Sequence, residues 1–503
     1  MGAERIPSSK ILLLVGIFAI AAIPRFAFIS KGPFHYDTLD YVIAGKKTLE
    51  TGSLHYAHGV GYPLTVILSA FSQLIFGFFL ADGIKAVLII TVIGASLATL
   101  AFFIFVDFLF KNKKIALFSA LIFSFFPPFF SVTTYGRLDH AFALLFVISS
   151  FYFLFRHLRA KNVKYLVYSS VFLGLAVCTR FSTLWTVFPY LFVYVSWNSR
   201  LKKNKLIVFK NAFTIDKFVF SVFPAILTVT AFYLPMFLNS GISRFIEVIS
   251  NPYQAKWMGL FTPLLTLSIS WMVKSLTYLG IALGILGIYF IFKEKKFICF
   301  FSVVWVILLT LYFGNLSSVS PRYLILPSLP LFFVIGFSIH KIEQFRKYLG
   351  LTILAILIFW MVYPIYPILE FRHSHNMQKE FAMYLKNITE ENAVILAKDE
   401  GIFLRYYLES TNRSITSFPS TCNQVKMDEF FERMDSWLEE NRSVYIIETG
   451  FAYDPCRLFL NTLLQNYNLT LVGKHLNEDW HHKSISLGLF EERVFKITKR
   501  KKI

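Results

Sequence analysis

Two carboxylates stand where so apolar a chain should avoid them. In His35-Tyr36-Asp37-Thr38-Leu39-Asp40-Tyr41, directly after the first hydrophobic run, Asp37 and Asp40 are three residues apart. A helix there carries both on one face, beside a membrane surface and within reach of a bound headgroup. Farther along, Gly136-Arg137-Leu138-Asp139-His140 sets an acid at the start of an apolar run, where it also favours a helix N-terminus. Pro321-Arg322-Tyr323-Leu324-Ile325-Leu326-Pro327 puts an always-charged, forked guanidinium at the mouth of a Pro-rich run, a natural partner for a phosphate. Arg180, in Cys178-Thr179-Arg180-Phe181, interrupts an otherwise apolar stretch. Each has a plainer explanation: a solvated capping loop for Asp37, a cap for Asp139, a snorkelling side chain for Arg322. Tyr36, Tyr41, Tyr56, Tyr62 and Trp257 offer faces for stacking on a sugar, or form an interfacial belt.

The elements that must position these residues are membrane spans. Of 503 residues, 56% are hydrophobic and 18% aromatic, and the mean hydropathy is +0.57, which excludes an ordinary soluble chain. The net charge of +20 does not imply nucleic acid, because the Lys and Arg fall in short clusters between apolar runs, as orientation signals do. Apolar runs near 11–30, 84–106, 115–134, 141–156, 165–180, 183–198, 217–238, 270–292, 297–313, 323–340 and 349–368 predict about 11 transmembrane helices. The run 63–80 is read as re-entrant. With that choice, Lys111/Lys113/Lys114, Arg156/Arg159/Lys161/Lys164, Arg200/Lys202/Lys203/Lys205, Lys293/Lys295/Lys296 and Lys341/Arg346/Lys347 share a side with the N-terminus, which is then cytoplasmic. The N-terminal segment is expected to be a retained first helix.

The opposite, extracytoplasmic side receives the Asp37 loop, the Arg137–His140 turn, the Asn239–Thr262 loop, the Arg322 turn and the C-terminal part. Residues 1–370 read as the membrane domain and 371–503 as a small α/β domain. In the latter, β-rich runs (393–397, 444–448, 469–472, 494–497) alternate with amphipathic stretches (427–440, 457–467). Four Asn-x-Ser/Thr sequons, at Asn387, Asn412, Asn441 and Asn468, agree with an external location. An oxidising exterior permits a bond between Cys422 and Cys456. No Walker A, GxGxxG or HExxH pattern is present, so ATP-driven transport and dinucleotide chemistry lack support.

Together these motifs resemble the GT-C superfamily of membrane glycosyltransferases, in the branch of dolichyl-phosphate-mannose protein mannosyltransferases and lipid A aminoarabinose transferases. Asp37, Asp40-Tyr41, Ala44-Gly45 and Gly61-Tyr62-Pro63-Leu64 match that family's first loop, Asp139 its second-loop acid, and Arg322-Tyr323-Leu324-Ile325-Leu326-Pro327 its turn before a late span. Two features depart from the pattern. Thr38 stands where many members carry Glu, and the Trp-Trp-Asp signature of oligosaccharyltransferases is absent. The resemblance implies an inverting, cell-membrane glycosyltransferase that moves a mannose-like sugar from a polyprenyl- or dolichyl-phosphate donor to a glycan, protein or lipid acceptor. Asp37 and Asp139 are then the catalytic acids, with Asp37 the base; Arg322, and less centrally Arg180 or Arg137, hold the donor phosphate. Asp40, Tyr41, His58, Tyr62 and Tyr323 are the expected substrate contacts. No cofactor is obligatory for a monophosphate donor, though a divalent cation is possible. The competing reading is a polytopic transporter or flippase for lipid-linked sugar or polysaccharide, which should show midplane charges and related halves.

Overall fold

In the computed structural model, the described residues are 8–57, 60–80, 82–200, 215–243, 245–246, 258–259, 262–316, 320–398, 400–419, 422–454, 456–478 and 488–499. His58, Trp257 and Lys202, Lys203 and Lys205 lie outside them, as does most of the loop before Thr262. Contacts divide the chain into two units. One consists chiefly of Met1–Ile29 and Tyr41–Phe371, the other of Ser30–Asp40, Arg372–His481 and Leu487–Ile503.

The first unit is helical. Its opening elements are α1 (Ser8–Ala27), α2 (Tyr36–Thr51, which starts in the other unit), α3 (Pro63–Leu80), α4 (Gly83–Phe110), α5 (Lys113–Ser124), α6 (Pro127–Thr134), α7 (Leu138–Ala160), α8 (Val163–Thr179) and α9 (Val187–Arg200). Ile215–Ser240, Pro263–Glu294, Lys296–Phe313, Ile325–Phe345 and Leu349–Val362 follow. Among the described residues, seven helices are long and apolar enough to cross a membrane, or eight if the bent pair α5–α6 is one span; Ile11–Ala27, Pro63–Gly77 and Val163–Thr179 are shorter apolar helices. The protein is a multi-pass membrane protein.

Two stretches differ from the sequence expectation. The run 63–80 is the helix α3, among the shorter apolar helices; the run 115–134, expected as one span, bends by 58° between α5 and α6. Pro127-Pro128 causes the break: Pro128 has no N–H for the Ser124 carbonyl four residues back. The Arg25 guanidinium replaces it, donating to the Ser124 carbonyl (2.6 Å) and to the Ser124 (2.9 Å) and Thr133 (2.9 Å) hydroxyls, between the Phe129 and Phe130 rings. The run 183–198 likewise divides, into a 3₁₀ turn Phe181–Thr186 and α9.

Close approach fixes α2 against α3. A Cβ on Gly45 would lie 2.6 Å from Ser69 Oγ, and in that gap Ser69 donates to the Tyr41 carbonyl (2.7 Å) and Gln73 to that of Val42 (2.9 Å). The Ala44-Gly45 pair thus has a packing reason. The helix Ile325–Phe345, buried along most of its length, is anchored similarly. Pro330 cannot donate to the Leu326 carbonyl, and the Trp305 indole N–H does so instead, at 2.9 Å.

The second unit is a five-stranded mixed sheet in the order β2-β1-β3-β5-β4, with β1 Val394–Leu396, β2 Ser414–Thr416, β3 Val444–Ile447, β4 Tyr467–Glu478 and β5 Leu489–Lys499. β1 pairs in parallel with β2 and β3, and β5 is antiparallel to β3 and β4. Alternation along the strands fills both faces. Val394, Leu396, Val444 and Ile446 meet Met427, Phe430 and Phe459 on one side, while Ile395, Tyr445, Ile447 and Val494 meet Phe381, Leu385 and Leu404 on the other. Cys422 and Cys456 are disulfide-bonded, their Cα atoms 5.6 Å apart. The first loop is sewn into this unit. Lys31 N–H donates to the Arg372 carbonyl (2.9 Å), the Arg372 guanidinium lies over the Phe34 ring, and the same guanidinium pairs with buried Glu478 at 3.2 Å. The segment Ser30–Asp40 therefore groups with the C-terminal unit rather than with the membrane domain into which its sequence position places it.

Candidate active site

In the first unit, the break before α7 builds the site. Gly136 adopts φ +90°, a conformation glycine reaches without strain, and the turn delivers Arg137, Asp139 and His140 together. Arg137 Nε and Nη2 donate to the two carboxylate oxygens of Asp139, each at 2.9 Å. Arg180 arrives from the C-terminal end of α8 in an extended conformation and donates to Asp139 Oδ2. Its own carbonyl is held by the Thr183 N–H (3.0 Å) and hydroxyl (2.8 Å). Asp139 is 0% exposed, with both oxygens taken by guanidiniums. Such a carboxylate anchors cations.

A cavity of about 320 Å³ opens beside this cluster, lined among others by His140, Arg180, Thr183, Arg322 and Tyr323. The Arg180 and Arg322 guanidiniums lie 5.5 and 5.4 Å from the Tyr323 ring centre. Arg180 and Arg322 bring two guanidiniums to this cavity, a donor set that suits a phosphate. Of the three arginines singled out in the sequence, Arg180 and Arg322 line the cavity, and Arg137 is turned into its bidentate pair. His140 and Thr183 had been given no role, although His140 stands beside Asp139 in the sequence.

A second cavity, about 260 Å³ and wholly apolar in its lining, lies along the same helices. On α7 the lining passes from His140, Ala143 and Leu144 to Val147, Ile148 and Phe151; on Lys296–Phe313 from Phe313 to Trp305 and Phe301; on Ile325–Phe345 from Ile325 and Leu326 to Leu329, Pro330 and Phe333. The arginine-lined cavity and the apolar one thus succeed one another along the same three helices.

The other residues singled out in the sequence are placed as follows. Tyr62 sits at φ +45° after Gly61 at φ +98°, two left-handed residues in succession, a conformation a non-glycine residue holds at a cost. Its ring meets that of buried Tyr41 edge-on at 6.3 Å. Asp37 lies in the first turn of α2 and Asp40 just past it, both within the second unit. Asp37 is 4% exposed; its N–H donates to His35 Nδ1 (3.2 Å) and its Oδ2 is 3.5 Å from the same nitrogen, with the His35 ring stacked on Tyr36. Among the described residues, no group of three or more His, Cys, Asp or Glu side chains is placed to hold a metal ion.

Comparison with solved structures decides the fold. The crystal structure of ArnT from Cupriavidus metallidurans bound to undecaprenyl phosphate superposes with a TM-score of 0.59 at 11% identity, covering 98% of each chain. The chain has the ArnT fold. The apo ArnT crystal structure from the same organism gives 0.56 at 12% identity, over 97% of this chain and 98% of that one. Residues 63–226, which run from α3 past Arg137, Asp139 and Arg180, match the family model described as dolichyl-phosphate-mannose-protein mannosyltransferase. No curated protein matches the chain by sequence search. The ArnT fold and the family match both agree with the GT-C resemblance read from the sequence.

Proposed function

We propose that the protein transfers a sugar, mannose-like, from a polyprenyl- or dolichyl-phosphate donor to an acceptor hydroxyl on a glycan, protein or lipid, on the extracytoplasmic face. One observation carries the reading: a cavity lined by Arg180 and Arg322 is followed along the same helices by an apolar one. A phosphate joined to an isoprenoid tail has that polarity and order. The bound undecaprenyl phosphate of the ArnT crystal structure and the match to the mannosyltransferase family model support it.

In this reaction the acceptor oxygen forms a bond to the anomeric carbon as the bond from that carbon to the phosphate oxygen breaks. The acceptor proton goes to Asp37, and the electron pair leaves on the polyprenyl phosphate, whose charge Arg322 and Arg180 neutralise. A single displacement inverts the anomeric centre. Asp139 is a positioning residue that fixes Arg180. Asp40, Tyr41, Tyr62 and Tyr323 bind substrate, and the basic clusters place the N-terminus in the cytoplasm.

The test is transfer by purified protein in detergent, with labelled polyprenyl-phosphate sugars as donors and mass spectrometry of the products. Labelled product together with stoichiometric polyprenyl phosphate is the expected result. Movement of intact donor across vesicles without cleavage would move the protein to the transporter class.

A further inference from the structure

The cavity beside the arginine cluster contains a polar atom that the fold itself does not use. His140 is 5% exposed, and its Nε2 has no hydrogen-bond partner. The nearest charged oxygen, Asp139 Oδ2, is 4.0 Å away, beyond hydrogen-bonding range, and already accepts from Arg137 and Arg180. A buried ring nitrogen in this position is costly unless something else meets it. His140 lines the cavity shared with Arg180 and Arg322, so what meets it is what the cavity binds.

Three groups from three elements line the cavity, and a tetrahedral anion suits them. They are two guanidiniums and the imidazole Nε2 of His140, from α8's end, the turn before Ile325–Phe345, and α7. A carboxylate offers two oxygens in one plane. A phosphate monoester offers three terminal oxygens arranged about a tetrahedron, one for each. The sugar-bearing donor proposed above is a phosphate diester with only two terminal oxygens; the third appears when the sugar leaves. We infer that His140 is a catalytic residue which, through Nε2–H, donates to the oxygen that the departing sugar uncovers. This rests on the proposed lipid-phosphate sugar transfer and adds to it the group that stabilises the leaving oxygen. The interaction grows as the bond from the anomeric carbon to that oxygen breaks, so it favours the transition state and the product over the bound donor.

The test needs no knowledge of the sugar. Affinities are measured at pH 8, where the monoester is fully ionised, for undecaprenyl phosphate and for its methyl ester, which keeps tail and phosphorus but has two terminal oxygens. Wild type should bind the monoester more tightly. In His140→Ala the monoester should weaken about 10- to 100-fold, as when a hydrogen bond to a charged group is lost, with the methyl ester nearly unchanged; His140→Gln, which keeps an N–H donor, should recover part of the loss. An unchanged ratio of the two affinities in His140→Ala, or an equal weakening of both ligands as misfolding would give, overturns the inference. If wild type transfers sugar while that ratio stays fixed, only the role of His140 falls. If wild type binds neither ligand and transfers no sugar, the proposed function falls with it.

Discussion

Arg137 holds Asp139 by two parallel hydrogen bonds of 2.9 Å, two residues away in the chain, and the same carboxylate takes Arg180 from another helix. A buried carboxylate between two guanidiniums is a structural joint, and removing its charge leaves two cations facing each other. Asp139→Asn should therefore destabilise the membrane unit by about 3–5 kcal/mol and disorder Arg180, losing turnover and thermal stability together. Melting temperature and transfer rate, measured on the same preparation, check this. Loss of activity with an unchanged melting temperature would mean that Asp139 acts on substrate directly.

Arg322→Lys keeps the charge but not the fork. Affinity for a polyprenyl phosphate should fall roughly tenfold, and further in Arg322→Ala, while melting is unaffected. Equal affinity in wild type and Arg322→Ala, measured by equilibrium binding, would leave Arg322 a snorkelling side chain.

Glu492 sets a pH dependence in the second unit. It is 0% exposed, and burial raises its pKa from 4.5 to about 8, partly opposed by the Thr449 N–H that donates to it at 3.0 Å and reinforced by the charge of Glu400. The folded state binds the proton more tightly than the unfolded, so the stabilisation is complete below about pH 4.5 and is lost as pH rises toward 8 and beyond, by up to about 1.4 kcal/mol per pH unit. Hydrogen exchange of the β4 and β5 amides in the full chain should show protection falling between pH 5 and 8. Glu492→Gln, which stays neutral, should remove that slope relative to wild type.

The bond between Cys422 and Cys456 closes a sequence separation of 34 residues. Replacing both with Ser should lower the stability of the second unit by roughly 2–4 kcal/mol. Limited proteolysis of the segment between them should accelerate, while donor binding at the arginine cluster is unchanged.

The parts of the fold that could be read from sequence were those with local signals. Val394–Leu396 and Val444–Ile447 are short runs rich in β-branched residues, and they appear as strands where expected, whereas Ser414–Thr416 is three residues in a polar setting and has no pattern of its own. Pro127-Pro128 carried the signal for the α5–α6 bend, but the surrounding apolar run conceals it in a hydropathy reading. The Asp139–Arg180 contact joins residues 41 positions apart, which no spacing rule reaches. Arg25 was visible as a charge in the first span, yet its role depends on a carbonyl orphaned a hundred residues away. The first loop's attachment to Arg372 is non-local for the same reason.

The most direct measurement is the rate of polyprenyl phosphate release from a labelled polyprenyl-phosphate sugar by purified wild type and Asp37→Asn protein, with acceptor present. Wild type should release one lipid phosphate per sugar transferred. Asp37→Asn, nearly isosteric, should fold normally, bind undecaprenyl phosphate as wild type does, and turn over about 10²- to 10⁴-fold more slowly through loss of the general base. Near-normal release by well-folded Asp37→Asn would contradict the assignment of the base, and no release by wild type with any lipid-phosphate sugar would contradict the account as a whole.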